Sequence, residues 1–354
     1  MKLPPDASAF AIAQRNLDAI PADERNSWFE AVRRASRLSD IAMPERVIVE
    51  LANTCNLDCP MCRVGEHGVD PRRFMPLERF EALGPQLFAH AREVRLNGLG
   101  ESTLVPDFER YLDVLQRYPV AVELITNGTG SRSVYREMVR RGHTLLFSWD
   151  AATPELFERL RRPARWQPLV DTLIYVAAEA LDDGRQDQLH LLFTLQPSNR
   201  EELPALVALA AKWGIPHVLV NVAKLGSDKW LEDHHAELLT EFAAADAAAQ
   251  SVGVHLYLPD HIGAHAVALP SACSTSGTSC DRPWKEVVVR WDLEVQVCNM
   301  FNPWVYGNME VQDFKRIWRG GFAQAFRAHL PGARPHPYCR GCYYIGGVYA
   351  RKQR

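Results

Sequence analysis

Three cysteines within eight residues constrain this chain more than any other feature of its sequence. Cys55, Cys59 and Cys62 form the pattern C-x3-C-x2-C directly after an apolar run at 46–51. Iron–sulfur clusters select soft thiolate ligands, so three thiolates at this spacing can hold three irons of a four-iron cubane. The fourth iron would then be open to a small chelating molecule.

Zinc is the alternative metal that these cysteines could bind. Zinc sites usually combine paired C-x2-C units with four ligands in total. Here three cysteines stand at uneven spacing, directly after a segment with the composition of a strand. The pattern therefore favours a cluster over zinc.

The composition of the chain indicates its compartment and argues against some classes of partner. A net charge of -3 and an isoelectric point near 6.5 give no electrostatic footprint for nucleic acid. The N-terminus has no apolar signal region, and no run of about 18 apolar residues occurs, so we expect neither secretion nor a membrane span. Eight cysteines in 354 residues without a signal peptide fit a reducing cytoplasm and metal ligation better than disulfides.

Short apolar runs alternate with helical segments along the first two thirds of the chain, which predicts an α/β fold. Strands are predicted at 46–51, 93–96, 121–126, 144–149, 189–195 and 217–222. Strand and helix in repeated order predict a parallel sheet with helices on its faces. Six such units fit a partial (β/α)6 barrel, although periodicity alone leaves a flat doubly wound sheet open.

The pattern changes after about residue 260. Strands at 286–290 and 294–297 predict a hairpin, and 311–330 predicts one helix. Cys280, Cys298, Cys339 and Cys342 form a C-x17-C-x40-C-x2-C series in this part of the chain. Four thiolates can saturate a cubane cluster or hold a tetrahedral zinc ion, and ligand type alone leaves both open.

The two cysteine sets together resemble the radical S-adenosylmethionine (radical SAM) enzymes with a C-terminal twitch domain, a shortened relative of the SPASM domain. The resemblance rests on CNLDCPMC at 55–62, CDRPW at 280–284, the hairpin ending at Cys298, GNM at 307–309 and the final C-x2-C. It implies a partial (β/α)6 radical SAM barrel, in which the first three cysteines hold a [4Fe–4S] cluster that binds S-adenosylmethionine. It also implies a single auxiliary [4Fe–4S] cluster on the second cysteine set.

Three regions follow from this resemblance. We expect a helical N-terminal extension at 1–44, a radical SAM core at 45–260 and a twitch/SPASM-like auxiliary iron–sulfur domain at 261–354. The longer SPASM domain has further cysteines for a second auxiliary cluster, and those cysteines are missing here. The resemblance therefore implies two clusters in all.

Further cofactor contacts follow from the resemblance at individual motifs. Met61 occupies the position where the family packs an apolar residue on the adenine. Gly100 and Glu101 end the segment NGLGE, a loose match to the family's G-G-E motif for the methionine ammonium, with a leucine in place of the first glycine. Asn127 belongs to a T-N-G segment that either lines the pocket or only makes a turn. Ser148, at a strand end, corresponds to a position near the methionine carboxylate.

For four further residues, the sequence allows either a functional or a structural role. Asp150 either faces the site as a catalytic group or caps the helix that begins near Thr153. Gln196 and Asn199 follow a strand end and could contact the ribose hydroxyls, although ordinary loop chemistry is the favoured explanation for both. Cys273 is the cysteine outside both sets, and packing is its favoured role. It could also replace a cluster ligand or donate a hydrogen atom, as in radical SAM epimerases.

The resemblance also implies a reaction. A one-electron donor such as flavodoxin or ferredoxin reduces the first cluster, S-adenosylmethionine is cleaved, and a hydrogen atom is removed from a substrate C–H bond. Similarity to the 2-deoxy-scyllo-inosamine dehydrogenase type indicates dehydrogenation of a small polar molecule such as an aminocyclitol or sugar, and hydrogen return would give an epimer instead. The alternatives are oxidative maturation of a ribosomal peptide and a non-catalytic cysteine-rich metal-binding module.

Overall fold

A computed structural model describes residues 8–35, 39–62, 73–223, 229–259, 261–262, 265–269, 280–298, 303–332 and 334–340. Cys273 and Cys342, two of the cysteines considered above, lie outside these ranges. Within them, no helix has the length and apolar composition needed to cross a membrane.

Twelve strands form the framework of the described residues. They are β1 (Arg46–Val49), β2 (Glu93–Leu96), β3 (Ala121–Thr126), β4 (Thr144–Ser148), β5 (Leu189–Leu195), β6 (His217–Val222), β7 (His255–Tyr257), β8 (His261–Ile262), β9 (His265–Ala266), β10 (Glu286–Val289), β11 (Glu294–Gln296) and β12 (Val305–Asn308). Ten of them make one sheet in the order β12–β11–β10–β1–β2–β3–β4–β5–β6–β7. β10 and the strands β1 to β7 are parallel to their neighbours in this order. β11 is antiparallel to both β10 and β12, and β8 pairs with β9 in a separate two-stranded sheet.

The predicted α/β fold is confirmed. The six predicted strands are β1 to β6, which lie side by side in chain order and run parallel. The sheet is open rather than closed into a barrel, with β12 and β7 at its two edges. Because all the parallel strands end on the same side, the loops that follow them share one edge of the sheet, where α/β proteins place their ligands.

The C-terminal hairpin joins the core sheet. β10 and β11 are antiparallel, as predicted, and β10 also pairs in parallel with β1, with Arg46 opposite Glu286 and Val49 opposite Val289. One continuous sheet therefore runs from the core into the C-terminal region. The division at 44 and 260 stays a prediction.

Helices cover the sheet and link its strands. They are α1 (Ala9–Asp18), α2 (Arg25–Arg34), α3 (Leu77–Leu83), α4 (Phe108–Leu115), α5 (Arg132–Arg140), α6 (Pro154–Leu160), α7 (Trp166–Asp182), α8 (Leu203–Lys212), α9 (Lys229–Asp233), α10 (His235–Val252), α11 (Arg282–Lys285), α12 (Phe314–Arg319), α13 (Gly321–His329) and α14 (Pro337–Arg340). A π-helical turn at Gly84–Phe88 continues α3. Ser131 caps α5, since its hydroxyl accepts a hydrogen bond from the Ser133 amide.

The prediction of one helix at 311–330 is wrong, because Gly320 separates α12 from α13. Gly320 has an extended backbone, with φ of -80° and ψ of 178°. A Cβ atom at this position would lie 2.5 Å from the carbonyl oxygen of Arg316. The tight turn between the two helices therefore requires glycine, a constraint that apolar periodicity does not reveal.

The two N-terminal helices pack against the C-terminal region. The Trp28 ring stacks on His329 at 4.0 Å between centroids and contacts Trp304 at 4.7 Å. The Asn16 side chain exchanges two 2.8 Å hydrogen bonds with the backbone of Val305 on β12. These contacts fix α1 and α2 against the strand and helices that follow residue 280.

Three histidines stack across the starts of β5, β6 and β7. His190 lies opposite His217, and His217 lies opposite His255, with ring centroids 4.4 and 5.0 Å apart. The Tyr257 hydroxyl is 3.3 Å from Nδ1 of His217, and the exposed carboxylate of Asp187 is 3.8 Å from its Nε2. Burial, together with the neighbouring His217, lowers the pKa of His190 to about 4, and burial also lowers the pKa of His217.

This stack predicts a loss of stability in acid. The unfolded chain takes up protons near the ordinary histidine pKa, whereas folded His190 resists protonation until about pH 4. Stability is therefore complete above about pH 6.5 and falls between there and about pH 4, by about 1–3 kcal/mol for this residue. Urea unfolding at several pH values should show a smaller acid loss for His190→Gln. Replacing the exposed His90 with Gln should leave the slope as in the wild type, and an unchanged slope in His190→Gln would contradict the prediction.

Candidate cofactor site

The three-cysteine loop leaves the carboxyl end of β1 and is braced against the chain that returns after it. The Met75 amide donates to the Leu51 carbonyl at 2.8 Å, and the Asn53 amide donates to the Arg73 carbonyl at 3.1 Å. Buried apolar residues on β1 hold the start of this loop in the core. The local sequence thus explains its position, because a strand with both faces buried leads directly into the cysteines.

The three thiols lie close enough to one another to interact electrostatically. Cys55 and Cys59 are half-buried and Cys62 is exposed. Burial raises the pKa of Cys55, and it raises the pKa of Cys59 to about 11, with nearby Arg161 acting in the opposite direction. The Cys55 sulfur accepts hydrogen bonds from the Leu57 amide and the Asn127 side chain, both at 3.4 Å. Without metal the raised pKa values keep the Cys55 and Cys59 thiols protonated, so loading iron must release their protons.

The predicted NGLGE loop packs on the cysteine loop through backbone contacts. The Glu101 amide donates to the Thr54 carbonyl at 2.9 Å. A Cβ atom on Gly100 would lie 2.3 Å from the Ala52 carbonyl oxygen and 2.4 Å from that of Thr54. Gly100 is thus required because its backbone lies close to the backbone of Ala52 and Thr54, the segment directly before Cys55.

Gly100→Ala is expected to displace the cysteine loop. The new methyl group meets backbone atoms that cannot rotate away, so stability should fall by about 1–3 kcal/mol and iron content should fall with it. Gly184→Ala is the matched control, since its Cβ meets nothing within 4 Å and only its left-handed backbone carries a cost. Iron assay after anaerobic reconstitution distinguishes the two. Full iron loading in Gly100→Ala would contradict the steric argument.

Glu101 is the centre of a buried hydrogen-bond network. Its carboxylate accepts from the amide and hydroxyl of Thr103 at 3.1 and 2.7 Å, from the Thr126 hydroxyl at 2.9 Å and from the Asn127 amide at 2.7 Å. Burial raises the pKa of Glu101, and these hydrogen bonds act against that rise. The side chain ties the ends of β2 and β3 together behind the cysteine loop. Its predicted contact with cofactor stays a prediction.

Asn127 connects the T-N-G segment with the cysteine loop. Besides its bond to the Cys55 sulfur, its amide nitrogen donates to the Asn56 side chain at 2.9 Å, and its oxygen accepts from the Thr129 amide at 2.9 Å. The structure therefore brings the predicted Asn127 and Cys55 into contact. It also shows why both alternatives for this segment can hold, because the same residue makes the turn and touches a thiol.

Asp150 pairs with a residue that the sequence analysis missed. Its carboxylate lies 2.5 Å from the Arg161 guanidinium and accepts a 2.7 Å hydrogen bond from the Thr194 amide. Asp150 is fully buried and does not cap α6, where Thr153 is the N-cap residue. Arg161 is close enough to Cys59 and Cys62 that their charges favour its protonated form. It is thus a buried cation beside the cysteine loop.

The remaining predicted residues differ in their surroundings. Asn199 is held by backbone: its amide nitrogen donates to the carbonyls of Asp150 and Thr194 at 2.9 and 3.0 Å, and its oxygen accepts from the Gln196 amide at 2.8 Å. Nε2 of Gln196 is buried without a hydrogen-bond partner in the structure. Ser148 ends β4 in a half-buried position. Their assignment to the cofactor stays a prediction.

Glu50 links this site with the C-terminal region, and the sequence analysis did not select it. Its carboxylate accepts from the Leu99 amide at 2.9 Å and lies 3.4 Å from the Arg290 guanidinium, directly after β10. Burial raises the pKa of Glu50, against the opposing effect of Arg290. The signal in the sequence is a lone carboxylate directly after an apolar strand.

The residues present fit the implied cofactors in donor chemistry. Three thiols suit iron, and Met61 packs against the core next to them. Two buried polar atoms near the strand ends, Oδ1 of Asn97 and Nε2 of Gln196, have no protein partner in the structure and are suited to a polar ligand. Among the described residues, no three His, Cys, Asp or Glu side chains are grouped closely enough to hold a single metal ion.

The second cysteine set is also partly described. Cys280 precedes α11, Cys298 follows β11 and Cys339 lies in α14. Cys280 and Cys298 are half-buried and Cys339 is buried. Burial raises the pKa of Tyr306 and Arg327 acts against this rise, while all three thiols add to it, although they span 60 residues of sequence.

Comparisons with known proteins agree with this arrangement. The Radical SAM superfamily matches residues 49–210, and an iron–sulfur cluster-binding domain of the SPASM type matches residues 280–343. No curated protein matches the chain. The two matched ranges contain the first cysteine set and the second, respectively.

Solved structures share the fold at low identity. Streptococcus suis SuiB bound to the precursor peptide SuiA is 14% identical with a TM-score of 0.64, covering 92% of this chain and 74% of its own. The anSMEcpe protein with bound AdoMet is 16% identical with a TM-score of 0.59, covering 86% of this chain and 88% of its own. BtrN in complex with AdoMet and 2-DOIA is 14% identical, covering 87% and 93%, and its TM-score of 0.46 carries no weight for function.

Fold and site define an iron–sulfur protein with an open parallel sheet and a cysteine loop at its carboxyl edge. The chain is a radical SAM enzyme with a C-terminal SPASM/twitch iron–sulfur domain, as the resemblance implied. Its cofactors are S-adenosylmethionine and two [4Fe–4S] clusters. The residues that hold each cofactor are assigned below as proposals.

Proposed function

We propose that this radical SAM enzyme dehydrogenates a small polar molecule, such as an aminocyclitol or sugar, at a carbon that bears a hydroxyl or amino group. Cys55, Cys59 and Cys62 would hold the cluster that binds S-adenosylmethionine. Cys280, Cys298, Cys339 and Cys342 would hold the auxiliary cluster. When bound, the first cluster and S-adenosylmethionine supply the chemistry that removes one hydrogen atom from the substrate and releases 5′-deoxyadenosine.

The remaining steps of the oxidation define what the protein must provide. After loss of a hydrogen atom, forming a carbonyl group from a hydroxyl-bearing carbon requires loss of one electron and one proton. The auxiliary cluster is proposed to accept the electron, and the proton would leave from the hydroxyl. A fully ligated cluster has no open iron for a substrate, so electron transfer is the role that its ligand set allows.

The connection between the two cysteine regions is the observation that carries this proposal. β10 pairs with β1 along its whole length. β1 leads at its carboxyl end into the first cysteine set, whereas β11 runs antiparallel to β10 and leads to Cys298 at the opposite end of the strands. The buried Glu50 carboxylate joins the Leu99 amide to Arg290 at the carboxyl ends of β1 and β10. This rigid connection supports a fixed geometry between the two clusters, which electron transfer from a bound substrate needs.

Arg161 is proposed to act on cofactor binding. It is a buried cation whose charge lowers the pKa of Cys59, against the larger effect of burial. A guanidinium is suited to recognising a carboxylate, and the methionine part of S-adenosylmethionine carries one. Asp150 would then hold Arg161 in place, which is a positioning role rather than the catalytic role first considered.

Peptide modification is the second candidate. SuiB has been solved with a precursor peptide and anSMEcpe with short peptides, and both share this fold. In this chain the described residues before β1 form two helices that pack on the C-terminal region, so they add no strand to which a peptide could pair. The non-catalytic module is not favoured, because the match to the Radical SAM superfamily extends over residues 49–210 and includes the cysteine loop.

Mass spectrometry of anaerobic reactions distinguishes the candidates. Reconstituted enzyme, S-adenosylmethionine and a flavodoxin or chemical reductant would be incubated with a panel of aminocyclitols, sugars and peptides. We expect 5′-deoxyadenosine together with a small polar product that has lost two hydrogens. Deuterium uptake from solvent at unchanged chemical composition would indicate epimerisation, with Cys273 as candidate donor, and turnover of peptides alone would refute the small-molecule proposal.

A further inference from the structure

A buried arginine lies in the C-terminal region without a carboxylate partner among the described residues. Arg327, on α13, is 6% exposed. Its Nε donates to the Pro283 carbonyl at 2.7 Å and its Nη1 to the Trp318 carbonyl at 2.8 Å, while its Cζ lies 4.1 Å from the Trp318 ring centroid. Its Nη2 is buried and makes no hydrogen bond in the structure.

A buried tyrosine with the same deficit lies next to it. Tyr306, on β12, is 2% exposed, its hydroxyl has no hydrogen-bond partner in the structure, and its ring centroid is 5.6 Å from Cζ of Arg327. Burial raises the pKa of Tyr306; Arg327 acts against this rise, and the thiols of Cys298, Cys339 and Cys280 add to it. Tyr306 lies on β12, which pairs with β11 two residues before Cys298, and Arg327 bonds the carbonyl of Pro283, three residues after Cys280. Both side chains therefore lie beside the second cysteine set.

One negatively charged group could satisfy both the unpaired Arg327 Nη2 and the unpaired Tyr306 hydroxyl. A buried cation without a counter-charge is strongly unfavourable, and so is a buried donor without an acceptor. A role for Arg327 in bracing two backbone carbonyls would explain two of its contacts but neither the unpaired Nη2 nor the missing anion. A cubane with four thiolate ligands carries net negative charge and presents sulfur atoms that accept hydrogen bonds. It would satisfy both residues at once.

We propose that Arg327 and Tyr306 are positioning residues of the auxiliary cluster, with the guanidinium as its buried counter-charge and the phenol as a hydrogen-bond donor. The inference rests on the proposed ligand set for that cluster. Adding an electron to a cluster adds negative charge, and a fixed cation and a donor both stabilise the reduced form. The pair should therefore raise the reduction potential of the auxiliary cluster and make it the better electron acceptor.

The potential can be measured on that cluster alone. In full-length protein with Cys55, Cys59 and Cys62 replaced by alanine, an anaerobic redox titration followed by electron paramagnetic resonance reports the remaining cluster. Arg327→Gln should lower its equilibrium constant for reduction at least tenfold, which is about 59 mV for one electron. Tyr306→Phe should lower it by a smaller factor, and Arg327→Lys should lie between Arg327→Gln and the unsubstituted background.

Arg316→Gln is the matched control, because it removes one positive charge from α12 at a side chain that is 72% exposed. Its potential should equal that of the background. Unchanged potentials in both Arg327→Gln and Tyr306→Phe, with the cluster intact, would overturn the inference. If Arg327→Gln fails to hold a cluster, Tyr306→Phe decides, since it removes only one hydroxyl. Absence of any cluster from the background protein would instead overturn the proposed ligand set, and this inference with it.

Discussion

Replacing Cys55, Cys59 and Cys62 together with alanine is expected to abolish formation of 5′-deoxyadenosine. The three thiols stand in one loop at the carboxyl end of β1 and interact electrostatically with one another, so no other described group can take their place at this loop. Iron content should fall from about eight to about four atoms per chain, because only the auxiliary cluster remains. Chromatography of anaerobic reactions and a colorimetric iron assay measure the two effects.

The second cysteine set supplies the matched control. Alanine at Cys280, Cys298 and Cys339 should also remove about four iron atoms, while cleavage of S-adenosylmethionine continues without substrate oxidation. The two triple variants therefore separate cofactor cleavage from the step that follows it. Continued formation of 5′-deoxyadenosine without the first set would refute its assignment, and zinc in place of iron would refute the auxiliary cluster.

Local patterns in the sequence predict the framework and the first cysteine loop. β1, β4 and β5 are short apolar segments buried on both faces, whereas β2 and β3 alternate buried residues with less buried ones. Both patterns can be recognised without knowing the neighbouring strands. The cysteine loop is equally local, since its ligands lie within eight residues of sequence. Ser131 as a helix cap belongs to the same class of short-range signals.

Long-range pairings are what the sequence does not reveal. Arg46 lies opposite Glu286 only because β10 joins β1, 240 residues later in the chain. The link from Glu50 to Arg290 depends on the same pairing, and each residue alone is an ordinary charged group near a strand end. Arg327 looks like one more basic residue near the end of a helix until the fold buries it beside Tyr306.

Arg161 illustrates the same limit at shorter range, and it carries the second large prediction. In the sequence it belongs to a basic run after α6 that is typical of a solvated surface. In the fold its guanidinium is the partner of the fully buried Asp150. Arg161→Met would leave that carboxylate with only the Thr194 amide, and losing one member of a buried pair typically costs about 3–5 kcal/mol. The lost stability should appear in urea unfolding of the metal-free protein.

A double substitution separates the pair from its surroundings. Asp150→Asn in the Arg161→Met background removes the uncompensated charge, so it should restore part of the lost stability. Arg162→Met is the matched control, because that side chain is 57% exposed and its 3.4 Å ion pair with the exposed Asp58 should contribute less than about 1 kcal/mol. Binding of S-adenosylmethionine should weaken in Arg161→Met and in the double variant alike, but not in Arg162→Met. If the double variant recovered binding as well as stability, Arg161 would be a structural partner of Asp150 and nothing more.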